Sequence, residues 1–427
     1  HLLSRRQRQM CIRDRYKGVR AHLEYPDHSL YEQLRNTCLR YPKYTAYNYF
    51  GKTADFKTLL SKIDECSRAL KAIGVKKGDK ITVCMPNTPE AIISFYAINK
   101  IGAVASMIHP LSAENEIKYY IDLSKSKTVI AIDIAWSKLE KVLPKTKVKN
   151  TIIVSVKDSM PALLGLGYYV TQGKNVKRPV EKDGVIYWKN FIKKAKEYTK
   201  ETNAKTKGKD EAAILYSGGT TGTPKGIVLT NLNFNALAMQ SYEACACLNP
   251  KMTVLSIMPV FHGFGLGICI HTVLTFGLTA IILPQFSAKT FDKLLNKYHP
   301  NVIAGVPTLY EALLKNKNLA NADLSYIKCA ISGGDSLSVS LKKKVDNFLK
   351  EHGANTQVRE GYGLTECVTG SCLTPVDTYK EGSIGIPYPD TYYKIVKPGT
   401  IDEVPYGQEG EIVLSGPTVM KLSLIHI

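Results

Sequence analysis

Between residues 80 and 156 apolar runs of strand length alternate with amphipathic segments of helical period, and this alternation limits the fold more than any other feature. "KITVCMP" (80–86) reads as a buried strand, and "TPEAIISFYAINKIG" (88–102) as a helix with Pro89 in its first turn and Gly102 at its end. "AVASMIHP" (103–110) is the next strand. "SAENEIKYYIDLSKS" (112–126) is a helix with Ser112 as its candidate cap and acidic residues in its first turn. "KTVIAID" (127–133) and "NTIIVSV" (150–156) add two strands. Strands that are apolar on both faces need cover on both faces, so the pattern predicts α/β layers around a mostly parallel sheet.

A second series starts at "AAILYS" (212–217). It continues through "TVLSIMP" (253–259), "TAIILP" (279–284), "NVIAGVP" (301–307), "IKCAISGG" (327–334) and "TQVREGYG" (356–363), with helices at 287–299 and 338–353 between them. From about residue 383 short strands and turns take over, as in "TYYKIVKPGT" and "GQEGEIVLSGP". The expected fold class is therefore α/β, with two doubly wound, mostly parallel subdomains and a small β subdomain. The expected boundaries are 16–205, including a Lys-rich insertion and linker over 157–210, then 206–382 and 383–421. Residues 1–15 are expected to be a non-native leader and residues 422–427 a non-native tail, since neither reads as a signal peptide or as the close of a domain.

Composition excludes several classes. A hydrophobic fraction of 44% and a charged fraction of 22% over 427 residues suit a globular chain with a large core. The net charge of +20 comes mainly from scattered lysines, with no arginine-rich arm or interleaved aromatics, so no nucleic-acid partner is expected. A lysine-studded surface leaves peripheral membrane contact open. The longest apolar stretch (260–286) carries two histidines and several glycines and breaks at Pro284, so it is expected to be a buried helix and a core strand rather than a membrane span. Ten cysteines without a CxxC pair point to reduced thiols in the cytoplasm and to no zinc site.

"YSGGTTGTPKG" (216–226) holds four glycines, three threonines and one lysine. Glycines let a backbone approach an anion and aim successive N–H groups at it; the threonine hydroxyls and a lysine add donors and charge. The segment is expected to hold phosphate between a buried strand and a helix. It is not a Walker A loop, because after Gly219 and four residues Pro224 stands where that loop needs its second glycine. Four further strands end in unusual loops: "PVFHGFG", "GVPT", "SGGDS" and "GYGLTE". In open parallel sheets ligands bind outside the carboxyl ends of the strands, so all five loops are expected on one face.

The phosphate segment, these four loops and the later "GSIGIPYPD" and "GEIVLSGP" together resemble the adenylate-forming superfamily, which includes acyl-CoA synthetases. The resemblance spans roughly residues 30–420. It implies the large domain of such an enzyme without its small C-terminal domain, whose Thr-Gly-Asp motif, hinge Arg and catalytic Lys are not found in this sequence. It implies ATP, Mg²⁺ and coenzyme A as cofactor, ion and co-substrate. By the same resemblance Ser217, Gly218, Gly219, Thr220, Thr221, Gly222, Thr223 and Lys225 would bind ATP, with Thr220, Thr221 and Lys225 on the β and γ phosphates. Gly333, Gly334 and Asp335 would edge the adenine slot, with Glu360, Gly361, Tyr362 and Gly363 beside it and Tyr362 stacked on the base. Thr365 would approach the α-phosphate and Glu366 would bind Mg²⁺. Thr220, Lys225 and Glu366 are the implied catalytic set. His262, Phe264, Gly265, Gly305, Val306 and Gly361 would line the acyl pocket.

The implied activity is ATP-dependent conversion of a carboxylic acid to an acyl-adenylate and then to acyl-CoA. The pocket segments are apolar and offer no partner for an ammonium or a second carboxylate, which favours a medium- or long-chain fatty acid. An aryl or cinnamic acid comes next, followed by a stand-alone enzyme loading a carrier protein. From another class, a non-catalytic nucleotide-binding homologue remains. The 427-residue chain is expected to bind ATP weakly and to adenylate poorly.

Overall fold

The computed structural model describes residues 18–171, 173, 176–218 and 224–424. Strand β1 (Thr45–Tyr49) and its antiparallel partner β2 (Lys52–Asp55) precede the first predicted series. That series forms β3 (Lys80–Cys84), β4 (Val104–Ile108), β5 (Thr128–Ile132) and β6 (Asn150–Val154). Next come β7 (Val185–Tyr187), β8 (Glu211–Ser217), β9 (Lys225–Thr230), β10 (Thr253–Ser256), β11 (Thr279–Ile282), β12 (Val302–Gly305), β13 (Cys329–Ser332) and β14 (Val358–Tyr362). The chain closes with β15 (Cys372–Leu373), β16 (Ile386–Pro387), β17 (Tyr392–Val396), β18 (Glu411–Ser415) and β19 (Leu422–Ser423).

Two large sheets result. The nine-stranded sheet runs β16-β15-β14-β13-β12-β10-β11-β1-β2, and the eight-stranded sheet runs β19-β9-β8-β4-β3-β5-β6-β7. Both are parallel at their centres; the nine-stranded sheet is antiparallel at both edges, and the eight-stranded sheet only at its β19-β9-β8 edge. Strands β17 and β18 form a separate antiparallel pair. The α/β class with a small β unit is thus as expected.

Sheet membership departs from the expected division near residue 205. Strand β8 pairs in parallel with β4, and β9 folds back on β8, so both complete the first sheet. The early β1–β2 hairpin joins β11 in the second sheet. The phosphate segment therefore joins two antiparallel strands and does not run from a strand into a helix. The Lys-rich stretch is also more regular than expected. It contains the helix Ala162–Thr171 and strand β7, which extends the sheet in parallel with β6. At the start of the helix Glu114–Ser124 the cap is Ala113, not Ser112. The Ala113 N–H donates to the Glu116 carboxylate at 2.9 Å, so a side chain inside the helix does the capping. The expected leader lies outside the described residues, as do 425–427, while Leu422–Ser423 pair with β9.

Helices shared between the two sheets are buried all round. Every residue of Pro89–Lys100 is buried, as are eleven of the fifteen in Asn231–Cys245. Such helices need their polar groups satisfied internally. Asn99 and Asn231 do this for each other and for the backbone N–H groups of Tyr31 and Leu30. His271, fully buried on the predicted apolar helix, accepts from the Tyr96 hydroxyl at Nδ1 (3.0 Å) and donates from Nε2 to Asn235 Oδ1 (3.0 Å). Both ring nitrogens are thus satisfied in the neutral form.

Burial pushes the His271 imidazole down to about 3 from its ordinary 6.5. Between those values the unfolded chain takes up a proton that the folded chain refuses, so stability falls as pH drops below 6.5. A His271→Gln variant should start less stable at neutral pH yet lose about 2–3 kcal/mol less on going from neutral to about pH 4.5. Urea unfolding at the two pH values would measure this, and equal losses in both proteins would disprove it.

Candidate active site

Four of the five predicted loops do meet. Strands β10, β12, β13 and β14 are mutually parallel neighbours, so their carboxyl ends carry "PVFHGFG", "GVPT", "SGGDS" and "GYGLTE" along one sheet edge. The fifth arrives from the other sheet. The short helical turn Thr365–Cys367 packs against β8 and β9, and the Glu366 carbonyl accepts from Met420 N–H at 2.7 Å. The β8–β9 hairpin thus reaches the edge that holds the other four loops.

The base of that hairpin is firmly tied. The Tyr216 hydroxyl lies 2.8 Å from that of Ser106, and the Tyr119 hydroxyl donates to the Pro224 carbonyl at 3.0 Å. Ser217 pairs with Lys225 across the hairpin, half-buried, with Gly218 exposed beyond them. Gly219, Thr220, Thr221, Gly222 and Thr223 lie outside the described residues.

Strand β14 carries the expected adenine edge. Its Arg359 is buried, and its guanidinium donates to the carbonyls of Thr374 (2.7 Å), Ala244 (2.8 Å) and Cys245 (3.1 Å). The last two are end carbonyls of the helix Asn231–Cys245, where the helix dipole favours a cation. One side chain thereby ties β14 to that helix. Beyond it Glu360 is half-buried, and burial raises its carboxyl above the usual range while Lys342 opposes the shift. Tyr362 is also half-buried, and its carbonyl accepts from both the N–H (2.9 Å) and the hydroxyl (3.0 Å) of Ser371. Burial raises its phenol as well. At Gly363 a Cβ would fall 1.2 Å from the Thr369 carbonyl oxygen, so only glycine lets the chain turn toward Thr365 and Glu366.

On β13, Gly333 donates its N–H to the Gly305 carbonyl at 3.0 Å, and Gly334 turns the chain at φ +80°. Asp335 is exposed and accepts from Ser336 N–H at 2.7 Å.

A cavity of about 800 Å³, counting its mouth, opens among these segments. Gly333, Gly334, Gly361, Tyr362 and Gly363 rim it. It continues along the sheet past Ile331 and Ala304 to Val302 and Val254, a run of roughly 10 Å at ~3.3 Å per residue. The opposite wall comes from the helix Asn231–Cys245 (Ser241, Cys245) and from the π-helix Phe264–Thr272 (Phe264, Ile268, Thr272). Among the described residues none that lines the cavity is charged.

Of the expected acyl-pocket residues, Phe264 and Gly361 line this cavity; the other four sit around it. A Cβ on Gly265 would fall 2.0 Å from the Pro259 carbonyl oxygen, so this glycine faces its own loop. Gly305 faces Leu309, and Val306 packs beside Gly334. His262 is exposed outside the cavity, its ring 4.9 Å from that of Phe261, which lies 4.4 Å from the ring of His109. Although the residue reaches the surface, desolvation by the groups packed around its ring, with His109 in support, lowers the His262 imidazole. The deep lining was missed, although the alternation Val302/Ala304 and Ile331/Gly333 on one face of two strands is a legible period-2 signal.

With the site's geometry in place, its relatives can be compared. The family profile described as AMP-binding enzyme matches residues 34–423. The chain belongs to the AMP-binding enzyme family. A long-chain-fatty-acid–CoA ligase of Bacillus subtilis is 32% identical over 409 residues, covering 93% of this chain and 71% of that protein. One from Yersinia pestis is 30% identical, covering 92% and 70%. The crystal structure of a long-chain-fatty-acid–CoA ligase from Archaeoglobus fulgidus superposes with a TM-score of 0.81 at 23% identity, covering 96% of this chain and 79% of that one. The family that the loop motifs resemble is thus the family of the chain, and the fold is that of the crystal structure. Among the described residues no helix is long and apolar enough to cross a membrane.

Arg359→Met would leave three buried carbonyls without a donor and should lower stability by about 3 kcal/mol. Arg359→Lys should recover only part of the loss, because an ammonium lacks the planar fork. Urea midpoints of the three proteins would decide it; a Lys variant as stable as the native chain would sink the argument.

Proposed function

We propose that this chain activates a medium- or long-chain fatty acid with ATP and passes the acyl group to coenzyme A. One observation carries the reading: an uncharged cavity leads from the sheet interior to the rim formed by Gly333–Gly334 and Gly361–Gly363. An alkyl chain would lie in it with the carboxylate at that rim, beside the nucleotide loops. An amino acid or a dicarboxylate would bury a charge there without a partner.

In the first step a carboxylate oxygen attacks the α-phosphorus of ATP, a P–O bond forms, and pyrophosphate leaves. In the second the thiolate sulfur of coenzyme A attacks the acyl carbonyl and AMP leaves. Neither step needs a nucleophile from the chain, so its residues act by positioning and charge neutralisation. Lys225, at the start of β9, and the threonines of the adjoining hairpin would neutralise the leaving pyrophosphate. Tyr362 would hold the base, and Thr365 would meet the α-phosphate. Glu366 is half-buried on the turn packed against the hairpin, and one carboxylate beside phosphate oxygens suits Mg²⁺. When bound, the ion would offset phosphate charge. The nine described cysteines are all free, which suits a reducing cytoplasmic setting.

Acyl-adenosine sulfamates test the assignment by binding alone. Affinity should rise with alkyl length from hexanoyl to palmitoyl and exceed that of the cinnamoyl analogue. Tighter cinnamoyl binding would favour an aryl acid instead, and no adenylate binding at all would favour a non-catalytic homologue. Val302→Phe, at the deep end, should weaken the palmitoyl analogue at least about tenfold and spare the hexanoyl one.

A further inference from the structure

The helix Ala162–Thr171, "ALLGLGYYVT", carries its apolar residues on the wrong side for a core element. Leu163, Leu166 and Val170 recur at i, i+3 and i+7, so they form one stripe. They are 86%, 63% and 53% exposed, with Leu164 beside them at 48%. The helix turns a glycine inward instead: Gly165 is buried, and a Cβ there would meet Lys157 Cβ at 3.5 Å and Met160 Cβ at 3.9 Å. Ordinary surface helices of monomeric proteins do the opposite, and contiguous exposed apolar patches mark interaction sites.

The surrounding charge indicates the partner. Between residues 141 and 196 the sequence holds thirteen lysines and arginines against three carboxylates. Lys157 packs under the helix and is exposed, the charge of Arg178 is felt at the Tyr168 hydroxyl, and Lys145, Lys147, Lys149, Lys182 and Lys189 are exposed on the same stretch of chain. At ten residues the helix is about 15 Å long, too short to span a bilayer. A short apolar stripe on a cation-rich stretch of chain, with Lys157 under the helix and Arg178 near Tyr168, has the form of an element that lies in a membrane interface.

We propose that the Ala162–Thr171 helix docks this protein on anionic lipid bilayers, with Leu163, Leu166 and Val170 entering the acyl boundary and the neighbouring lysines meeting the headgroups. The argument does not depend on which acid the cavity takes. A second copy of the chain is the competing occupant, but the excess of like charge around the stripe would oppose self-association.

Sedimentation of the full chain with vesicles tests this. Binding should be strong to phosphatidylcholine vesicles containing about a third phosphatidylglycerol, weak to phosphatidylcholine alone, and reduced by added salt. Leu163→Glu/Leu166→Glu should lower the partition coefficient at least tenfold with an unchanged circular dichroism spectrum. In a separate Leu166→Trp variant, indole emission should shift to the blue on vesicles and be quenched by brominated acyl chains. Equal binding by the native and Glu-substituted proteins, indole emission that vesicles leave unshifted, or vesicle-independent dimers abolished by the Glu pair would each overturn the proposal.

Discussion

Asn87 joins the two sheets at the point where the site is built. It follows β3 of the eight-stranded sheet and is 2% exposed, yet its amide serves the other sheet. Its Nδ2 donates to the carbonyls of Ser256 (3.2 Å) and Met258 (2.8 Å), and its Oδ1 accepts from Val260 N–H (2.9 Å). The segment held in this way runs from the end of β10 into the π-helix that walls the cavity. A buried loop has no water to satisfy its backbone, so a side chain from the opposite layer must do so. The position of Phe264 over Gly333 and Gly334 follows from this anchor.

Arg359 performs the corresponding task from inside the second sheet. It holds β14 against the helix Asn231–Cys245, whose far face packs between the layers. The two anchors fix opposite walls of one cavity. The glycine rim and the apolar cavity behind it are therefore held by the same core, at the place where β12, β13 and β14 end. Strands β8 and β9 of the other sheet pack against the turn Thr365–Cys367 at that place.

Much of this was legible in the sequence. Strands β3 to β6 and β10 to β13 are mostly apolar runs, and such local patterns survive any choice of neighbour. The caps Thr88 and Ser338 follow the same local rules, and Gly102 ends its helix at φ +70° as expected. Tyr362, Gly361 and Gly333 fall at the rim because strand ends are fixed by pattern. His262 and Gly265 were misplaced because a tight turn and a π-helix rotate successive side chains away from where a regular helix would put them. The deep strand lining was legible as an alternation along β12 and β13, whereas the facing wall comes from helices far apart in the chain.

The amino-acid sequence by itself determined the inventory: α/β layers, the order of strands, and the family to which the loop motifs belong. These follow from short-range periodicity and from residue chemistry that needs no partner. Tertiary structure alone decided that β8 and β9 complete the first sheet, that β1 and β2 cross to the second, and that the cavity lies between Val302 and the Asn231–Cys245 helix. Strand partners and cavity walls are set by which distant apolar faces cover each other, and no local window of sequence contains both sides of that contact.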